Sequence, residues 1–453
     1  LDLRLLFSQT EYITFLKKSL KKDKINIITL GCSKNIVDSE ILITQLKANN
    51  FEVKYELAKN DADIVIINTC GFIDKAKEES VNTILQSVED KKQGLINKLY
   101  VIGCLSERYK DELEKEIPEV DKYFGVNQLP DILKELNADY KKELLKEHSL
   151  ITPSHYAYLK ISEGCNNNCS FCAIPLIKGR HKSKPIEDII EEAKLLSKKG
   201  VKEIILVAQD LTYYGLDIYK KRNLACLLEN LSEINGIEWI RLQYTYPDNF
   251  PVDVLKMIKE KKKICKYLDV SFQHINDKIL KSMKRKITKK QITEFIDKAR
   301  KEIPDLSLRT SFIVGYPDET EKDFQELSDF VKHTKFDRLG VFTYSHEENT
   351  PAYKLQDNVS EKIKQEREKK LMSIQQKISL ELNKNKIGKT LKVIIDRLDG
   401  NYFIGRTEFD SPEIDNQILI KKDNNIKTGK FYQVRITKAD YYDLYADLIQ
   451  KFR

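Results

Sequence analysis

The stretch Tyr156-Ala157-Tyr158-Leu159-Lys160-Ile161-Ser162-Glu163-Gly164-Cys165-Asn166-Asn167-Asn168-Cys169-Ser170-Phe171-Cys172 decides the fold of this chain. Residues 156–161 make a short apolar run of the kind that forms a buried strand. Gly164 ends it, and a polar loop follows that carries three cysteines spaced C-x₃-C-x₂-C. Strand followed by helix then repeats downstream, with candidate strands at 203–207, 239–246, 267–272, 306–314 and 338–344. Six βα units predict an incomplete α/β barrel, wider and more open on one side than the closed eight-unit form. An open side admits a large substrate, and the carboxyl ends of the strands are where such folds gather ligands.

The cysteine loop sits at one of those carboxyl ends. Iron-sulfur clusters are held by thiolates, and a tight loop directs three of them at one four-iron cube. Three cysteines leave one iron without a protein ligand, open to a small molecule that can receive an electron. A zinc knot calls for four ligands, and the nearby sequence offers a fourth donor only in His181.

Upstream, from Lys24 to about Asn137, buried runs at 25–30, 64–67 and 99–102 alternate with helical periodicity at 36–49 and 73–90. That order predicts a parallel α/β sheet. Each run ends in a cysteine: Leu30-Gly31-Cys32, Asn68-Thr69-Cys70 and Ile102-Gly103-Cys104. A lone cysteine at a strand end is more often packing than ligand. Three at equivalent ends of parallel strands emerge along one sheet edge, where they can share a metal site. Cys226 and Cys265 have no such partners and are read as core residues.

Downstream, residues 360–385 lack Pro and Gly and predict one long helix. After Gly388 come short strands at 391–395, 402–406, 418–420, 432–436 and 442–448, which predict a small β-barrel. Residues 386–453 hold 13 Lys/Arg and 10 Asp/Glu, a balance compatible with RNA. However, Glu408, Asp410, Glu413 and Asp415 crowd between two strands. Read from charge alone, they form either a solvated loop or an acidic edge that repels phosphate and suits a basic protein. The expected domains are 24–140, 151–384 and 385–453, preceded by a peripheral extension over 1–23.

The 453 residues, 41% of them hydrophobic, require several cores. A net charge of +8 on a background of 33% charged residues permits contact with RNA or ribosomes without implying it. No run approaches the roughly 18 apolar residues of a membrane span, and the start lacks the layout of a secretory signal. The expectation is a cytoplasmic protein without membrane contact, where thiols stay reduced and cysteine sets mean metal or catalysis.

The C-x₃-C-x₂-C loop, with Phe171 before its last cysteine, resembles the signature of the radical S-adenosylmethionine (SAM) enzymes. That resemblance implies a 4Fe-4S cluster on Cys165, Cys169 and Cys172 that binds SAM and cleaves it to a 5′-deoxyadenosyl radical. With Cys32, Cys70 and Cys104 added, residues 24–449 resemble the methylthiotransferases, in which this second triad holds an auxiliary 4Fe-4S cluster that supplies or relays sulfur and the C-terminal barrel is a TRAM domain. The words Leu30-Gly31-Cys32-Ser33-Lys34-Asn35, Asp38-Ser39-Glu40, Asn68-Thr69-Cys70-Gly71-Phe72-Ile73 and Ala208-Gln209-Asp210-Leu211-Thr212-Tyr213-Tyr214-Gly215 are similar to the RimO branch.

The branch implies a substrate: an aspartate of small-subunit ribosomal protein twelve, methylthiolated at its β-carbon. That C–H bond is too strong for a side-chain base, so a cofactor radical must remove the hydrogen. SAM then serves as both methyl donor and radical source. The alternative of the same chemistry is a tRNA adenosine methylthiotransferase like MiaB; one of a different class is a non-catalytic RNA- or ribosome-binding module. An electron-donor protein and RNA contact through the TRAM barrel are further implied partners.

Within the barrel, Gln209 and Asp210 end the second strand, Gln273 and His274 follow the fourth, and Arg309 lies on the fifth. Phe171, Gln209, Arg309 and Gly315 are the expected SAM contacts, Gly315 through the resemblance of Ile313-Val314-Gly315-Tyr316-Pro317 to a turn that lets backbone approach SAM. Asp318 stands where the family commonly has another glycine, and Ser271 where it has a proline before the Gln-His pair.

Overall fold

A computed structural model describes residues 23–56 and 62–451. The expected extension over 1–23 therefore lies, apart from Asp23, outside the described residues. The chain divides into two compact units that meet between Ile151 and Thr152. Among the described residues no helix is long and apolar enough to cross a membrane.

The first unit is a five-stranded parallel sheet in the order β2-β1-β3-β4-β5, with β1 Lys24–Thr29, β2 Glu52–Tyr55, β3 Ile64–Thr69, β4 Lys98–Gly103 and β5 Lys122–Tyr123. Central β3 is buried at every position, which is why 64–67 reads as an unbroken apolar run. Two apolar clusters pack the sheet: one contains Ile25, Ile27, Ile64 and Ile66, the other Val65, Ile67, Leu99 and Val101. Their alternation along β3 places one on each face. The edge strands β2 and β5 escape a reading by burial because β2 exposes Glu52 and Lys54 and β5 is two residues long.

The second unit contains six parallel strands in the order β13-β12-β11-β10-β9-β6. These are β6 Tyr156–Lys160, β9 Glu203–Val207, β10 Trp239–Thr245, β11 Ile264–Val270, β12 Ser307–Val314 and β13 Arg338–Thr343. β6 and β13 are the two edges, so the barrel is open between them, as six units predict. A short ribbon, β7 Ser162–Glu163 with β8 Lys182–Ser183, follows β6. Helix Glu361–Lys384 packs against β13 and leads to a closed five-stranded barrel: β14 Thr390–Asp399, β15 Tyr402–Arg406, β16 Gln417–Lys421, β17 Phe431–Ala439 and β18 Asp443–Lys451.

The two barrels share a core and a buried ionic layer. Trp239, Cys265 and Tyr267 pack with Ile394 and Phe431. Arg241 donates from Nε to Glu203 at 2.7 Å, Arg406 pairs with the same Glu203 and with Asp396 at 2.9 Å, and His155 meets Asp396 at 2.7 Å. The segment between β15 and β16 adds Asp410 against Arg338, Asp415 against Arg309 at 3.2 Å and Tyr267 Oη at 2.8 Å, and the carbonyl of Glu408 on Arg241 at 2.7 Å. Glu203 and Arg338 open their strands, and Arg241 and Arg309 are third residues of theirs. The small barrel therefore caps the amino-terminal end of the large one.

This corrects the reading of the acidic run as a solvated loop or a docking edge. Asp410 and the Asp415 carboxylate are buried, and Glu413 accepts from Tyr156 Oη at 3.0 Å. A local charge count cannot tell a solvated carboxylate from one that meets an arginine about a hundred residues away.

Candidate iron-sulfur sites

In the first unit, the three cysteine-bearing strands β1, β3 and β4 are adjacent, and register pairs Thr29 with Asn68 and Thr69 with Gly103. Cys32, Cys70 and Cys104 therefore leave one carboxyl edge side by side. Cys32 is the N-cap of helix Ser33–Ala48, and Cys104 opens helix Cys104–Glu116. Helix amino termini favour negative charge and hence thiolate. Asn35 knits the edge: its amide donates to Leu30 O at 2.9 Å and Thr69 O at 3.1 Å, and its side-chain oxygen lies 3.9 Å from Cys104 Sγ. Ser80 Oγ accepts from Cys70 N and donates to Cys70 O. Burial pushes the Cys70 thiol up, with the neighbouring Cys32 adding to it.

In the second unit, Gly164 turns the chain at φ +78 with its Cα against Arg180 O, a place no Cβ fits. The loop is then tied down on three sides. Cys165 N donates to Gly179 O at 3.1 Å, Asn167 donates to Asp210 at 2.8 Å, and Ser170 bonds Met283 O and Ser282 O through its N–H and hydroxyl. Arg285 Nη1 donates to Cys169 Sγ at 3.4 Å, and Tyr246 Oη lies 3.7 Å from the same sulfur. Burial, with the neighbouring Cys169 adding to it, raises Cys165 to about 11 and Cys172 to about 12.

Both triads suit a cluster. All six cysteines are free, and neighbouring thiols disfavour the charged forms of Cys70, Cys165 and Cys172, a cost that cationic iron removes. No three His, Cys, Asp or Glu side chains among the described residues converge on a single ion. A cube, whose thiolates bind separate irons, does not ask them to. His181 turns away to Ser183 at 3.0 Å and Tyr213, with Asp217 at 3.9 Å, so it completes no zinc knot.

The other expected site residues divide. Phe171 packs with Ile279, Met283, Tyr316, Tyr344 and Ala352 beside the cysteine loop. Gln209 donates to Glu163, while its side-chain oxygen is buried with no partner among the described residues. Burial works against the Glu163 carboxylate, yet Lys160 at 2.5 Å and Lys178 at 3.8 Å hold it at about 2. Gly315 has φ +73, and an added Cβ would strike Lys364 Cγ at 2.2 Å, so its close neighbour in this structure is the long helix. Asp210 is a loop anchor, also accepting from Thr212 N at 2.9 Å. His274 is buried and held neutral by burial, at about 4; its Nδ1 accepts from Asn276 N.

Arg309 requires a correction. It lies in the amino-terminal half of β12, paired with Asp415 and, at 3.6 Å, with Asp269, away from the cysteine loop. Cys226 is another: it is exposed on helix Leu224–Ser232, whereas Cys265 is core. The two departures from the family pattern are absorbed locally. Asp318 takes the left-handed φ +63 that explains a glycine there, steadied by paired bonds with Asn358 at 2.7 and 2.9 Å. Ser271 keeps its carbonyl on Arg285.

Sequence reasoning missed Arg285 and Tyr246. Lys284-Arg285-Lys286 reads as a solvated basic run, and only the position of Tyr246 at a strand end hints at a role.

Comparison with known proteins places this geometry. Residues 24–125 match the Uncharacterized protein family UPF0004, 159–331 the Radical SAM superfamily and 387–449 the TRAM domain. The chain is 58% identical over 431 residues to the ribosomal protein uS12 methylthiotransferase RimO of Christiangramia forsetii, covering 95% of each chain. It belongs to the RimO family. The RimO of Phocaeicola vulgatus is 52% identical over 432 residues, covering 95% of this chain and all of that one. Among solved structures, the radical SAM methyltransferase TsrM of Kitasatospora setae shares the fold at 12% identity and a TM-score of 0.53, over 90% of this chain and 84% of that one.

For a RimO-family chain, Gly31 offers a sharp test of the auxiliary triad. At φ +90, an alanine Cβ would sit 2.6 Å from Cys70 Cβ and 2.9 Å from its Sγ. Gly31→Ala is expected to displace Cys70 and lower bound iron to about half, with SAM cleavage retained. Full iron content in that variant would show that the triad accommodates the added methyl group and would overturn this expectation.

Proposed function

We propose that this chain methylthiolates the β-carbon of an aspartate in ribosomal protein uS12, with Cys165, Cys169 and Cys172 holding the SAM-binding 4Fe-4S cluster and Cys32, Cys70 and Cys104 the auxiliary one. The observation that carries the reading is the pair of cysteine triads, one at the carboxyl ends of three adjacent parallel strands and one gathered on the loop that follows the first barrel strand. Cys165, Cys169 and Cys172 would hold the cluster that supplies the electron for SAM cleavage, and Cys32, Cys70 and Cys104 the one that supplies the sulfur.

The chain's own residues prepare that chemistry. Asn167 and Ser170 anchor the loop at both ends, so the three thiols hold one geometry. Phe171 seals the loop against the apolar cluster beside it, and the unpaired oxygen of Gln209 is an acceptor suited to SAM. The gap between β6 and β13 gives a polypeptide a way in, and Phe342, 46% exposed on β13, offers it an apolar contact.

Partners follow from the same chemistry. A low-potential electron-donor protein supplies the reducing electron. The small barrel carries Tyr402 edge-on to Tyr445 at 6.3 Å, with Lys438 5.0 Å over Tyr445, a stacking and basic surface fit for ribosomal RNA. Six thiols kept for iron suit a reducing cytoplasm. Domain limits of 24–140, 151–384 and 385–453 remain our division of labour, the last two sharing one compact unit.

The test is a strain lacking the gene. Its uS12 is expected to lose the methylthio group, seen by mass spectrometry of the intact protein, while methylthio-adenosine in its tRNA is unchanged. A uS12 that keeps the group sinks the proposal.

A further inference from the structure

The polar neighbourhood of Cys169 is more elaborate than ligation alone requires. Arg285 is 6% exposed and spends one guanidinium nitrogen on Cys169 Sγ at 3.4 Å and another on Ser271 O. Its third, Nε, is buried with no partner among the described residues. The guanidinium lies 3.9 Å over the ring of Tyr246, whose hydroxyl is 3.7 Å from the same sulfur. Backbone geometry brings the pair there: Arg285 N donates to Leu280 O at 2.8 Å, and the preceding turn carries Met283 O, which accepts from Ser170 N at 3.0 Å. A permanently charged, planar fork is thus fixed on one thiol of the triad and backed by an aromatic face.

We propose that Arg285, stacked on Tyr246, is a positioning residue that acts through Cys169 to raise the reduction potential of the cluster on this triad. The inference rests on the proposal that Cys165, Cys169 and Cys172 hold that cluster. One-electron reduction, with the electron taken from a low-potential one-electron donor, adds one negative charge to an assembly already carrying three thiolates. A cation and an N–H···S bond at one thiolate favour the reduced form, and net charge and hydrogen bonds to sulfur are among the factors that set such potentials. Loss of the charge should therefore lower the potential. A merely structural role predicts the opposite sign, because opening a nearly sealed site admits water, which favours the reduced form.

The experiment uses full-length protein with Cys32, Cys70 and Cys104 replaced by alanine, so that one cluster remains. Iron and sulfide content come first: a protein that binds no iron in this background overturns the ligand assignment and with it the role of Arg285, whereas a shifted midpoint at full iron content speaks to Arg285 alone. Midpoints are then read by electron paramagnetic resonance in a dithionite titration. R285Q is expected to lose about tenfold in the reduction equilibrium, about 59 mV for one electron, at unchanged iron content. R285K keeps the charge without the fork and is expected to lose about threefold. An R285Q midpoint equal to or above the parent overturns the proposal. Should R285Q fail to hold iron, R285K decides: a midpoint below the parent supports it, and one equal or higher overturns it.

Discussion

Replacing Cys165, Cys169 and Cys172 by alanine is expected to abolish formation of 5′-deoxyadenosine from SAM and to halve the iron bound per chain. Replacing Cys32, Cys70 and Cys104 is expected to halve the iron as well, yet leave SAM cleavage in place while methylthio transfer to uS12 is lost. The asymmetry follows from geometry within each unit. The first triad sits on a loop anchored to barrel strand ends and lies beside the unpaired Gln209 oxygen, where a small molecule has an acceptor to meet. The second sits on the edge of a separate sheet, its thiols gathered by Asn35 and Ser80. Neither loss is expected to unfold the chain, because both triads lie at strand ends and outside the apolar clusters of their units. Iron analysis and 5′-deoxyadenosine release, run on both variants after anaerobic reconstitution, check all of this. Equal loss of SAM cleavage in both would remove the division of roles.

Glu203→Ala is expected to cost about 3–5 kcal/mol, the range found when one partner of a buried ion pair is removed. Glu203 is fully buried at the start of β9, with Arg241 on one oxygen and Arg406 on the other. Its loss leaves two buried guanidiniums facing each other, and Arg406 keeps only Asp396, which His155 shares. Glu203→Gln keeps an acceptor and the shape and is expected to cost less, about 1–3 kcal/mol. Replacing Glu203, Arg241 and Arg406 together by leucine or methionine is expected to recover much of the loss, since apolar packing commonly equals or betters a buried ionic group. Urea midpoints of the four proteins at matched iron content check the order. A Glu203→Ala midpoint indistinguishable from the parent would mean that the layer does not couple the two barrels. The cysteine loop lies at the other end of the strands, so iron binding in the native state is expected to survive.

Much of this architecture is legible in the chain because its signals are local. Runs such as 64–67 and 204–207 are apolar throughout since their strands are buried on both faces, and a parallel sheet then follows from the intervening helices. The strand-end cysteines inherit their common edge from that parallelism. Edge strands β2 and β5 were illegible because half-exposed or two-residue strands carry no burial pattern.

Residues whose meaning depends on a distant partner divide the two sources of knowledge. By itself the sequence determined both cysteine triads and the order of the three folds, because ligand spacing and strand periodicity are legible along the chain, while the RimO-like chemistry came from the resemblance of its motif words to that branch. Only the tertiary structure decided what charged side chains do. Arg309, expected at SAM, serves Asp415; Asp410, expected as solvated loop or docking edge, serves Arg338; Arg285, lost in a basic run, serves Cys169. A guanidinium or a carboxylate is written the same way whether it faces water or a buried counter-charge, and only the fold chooses its partner.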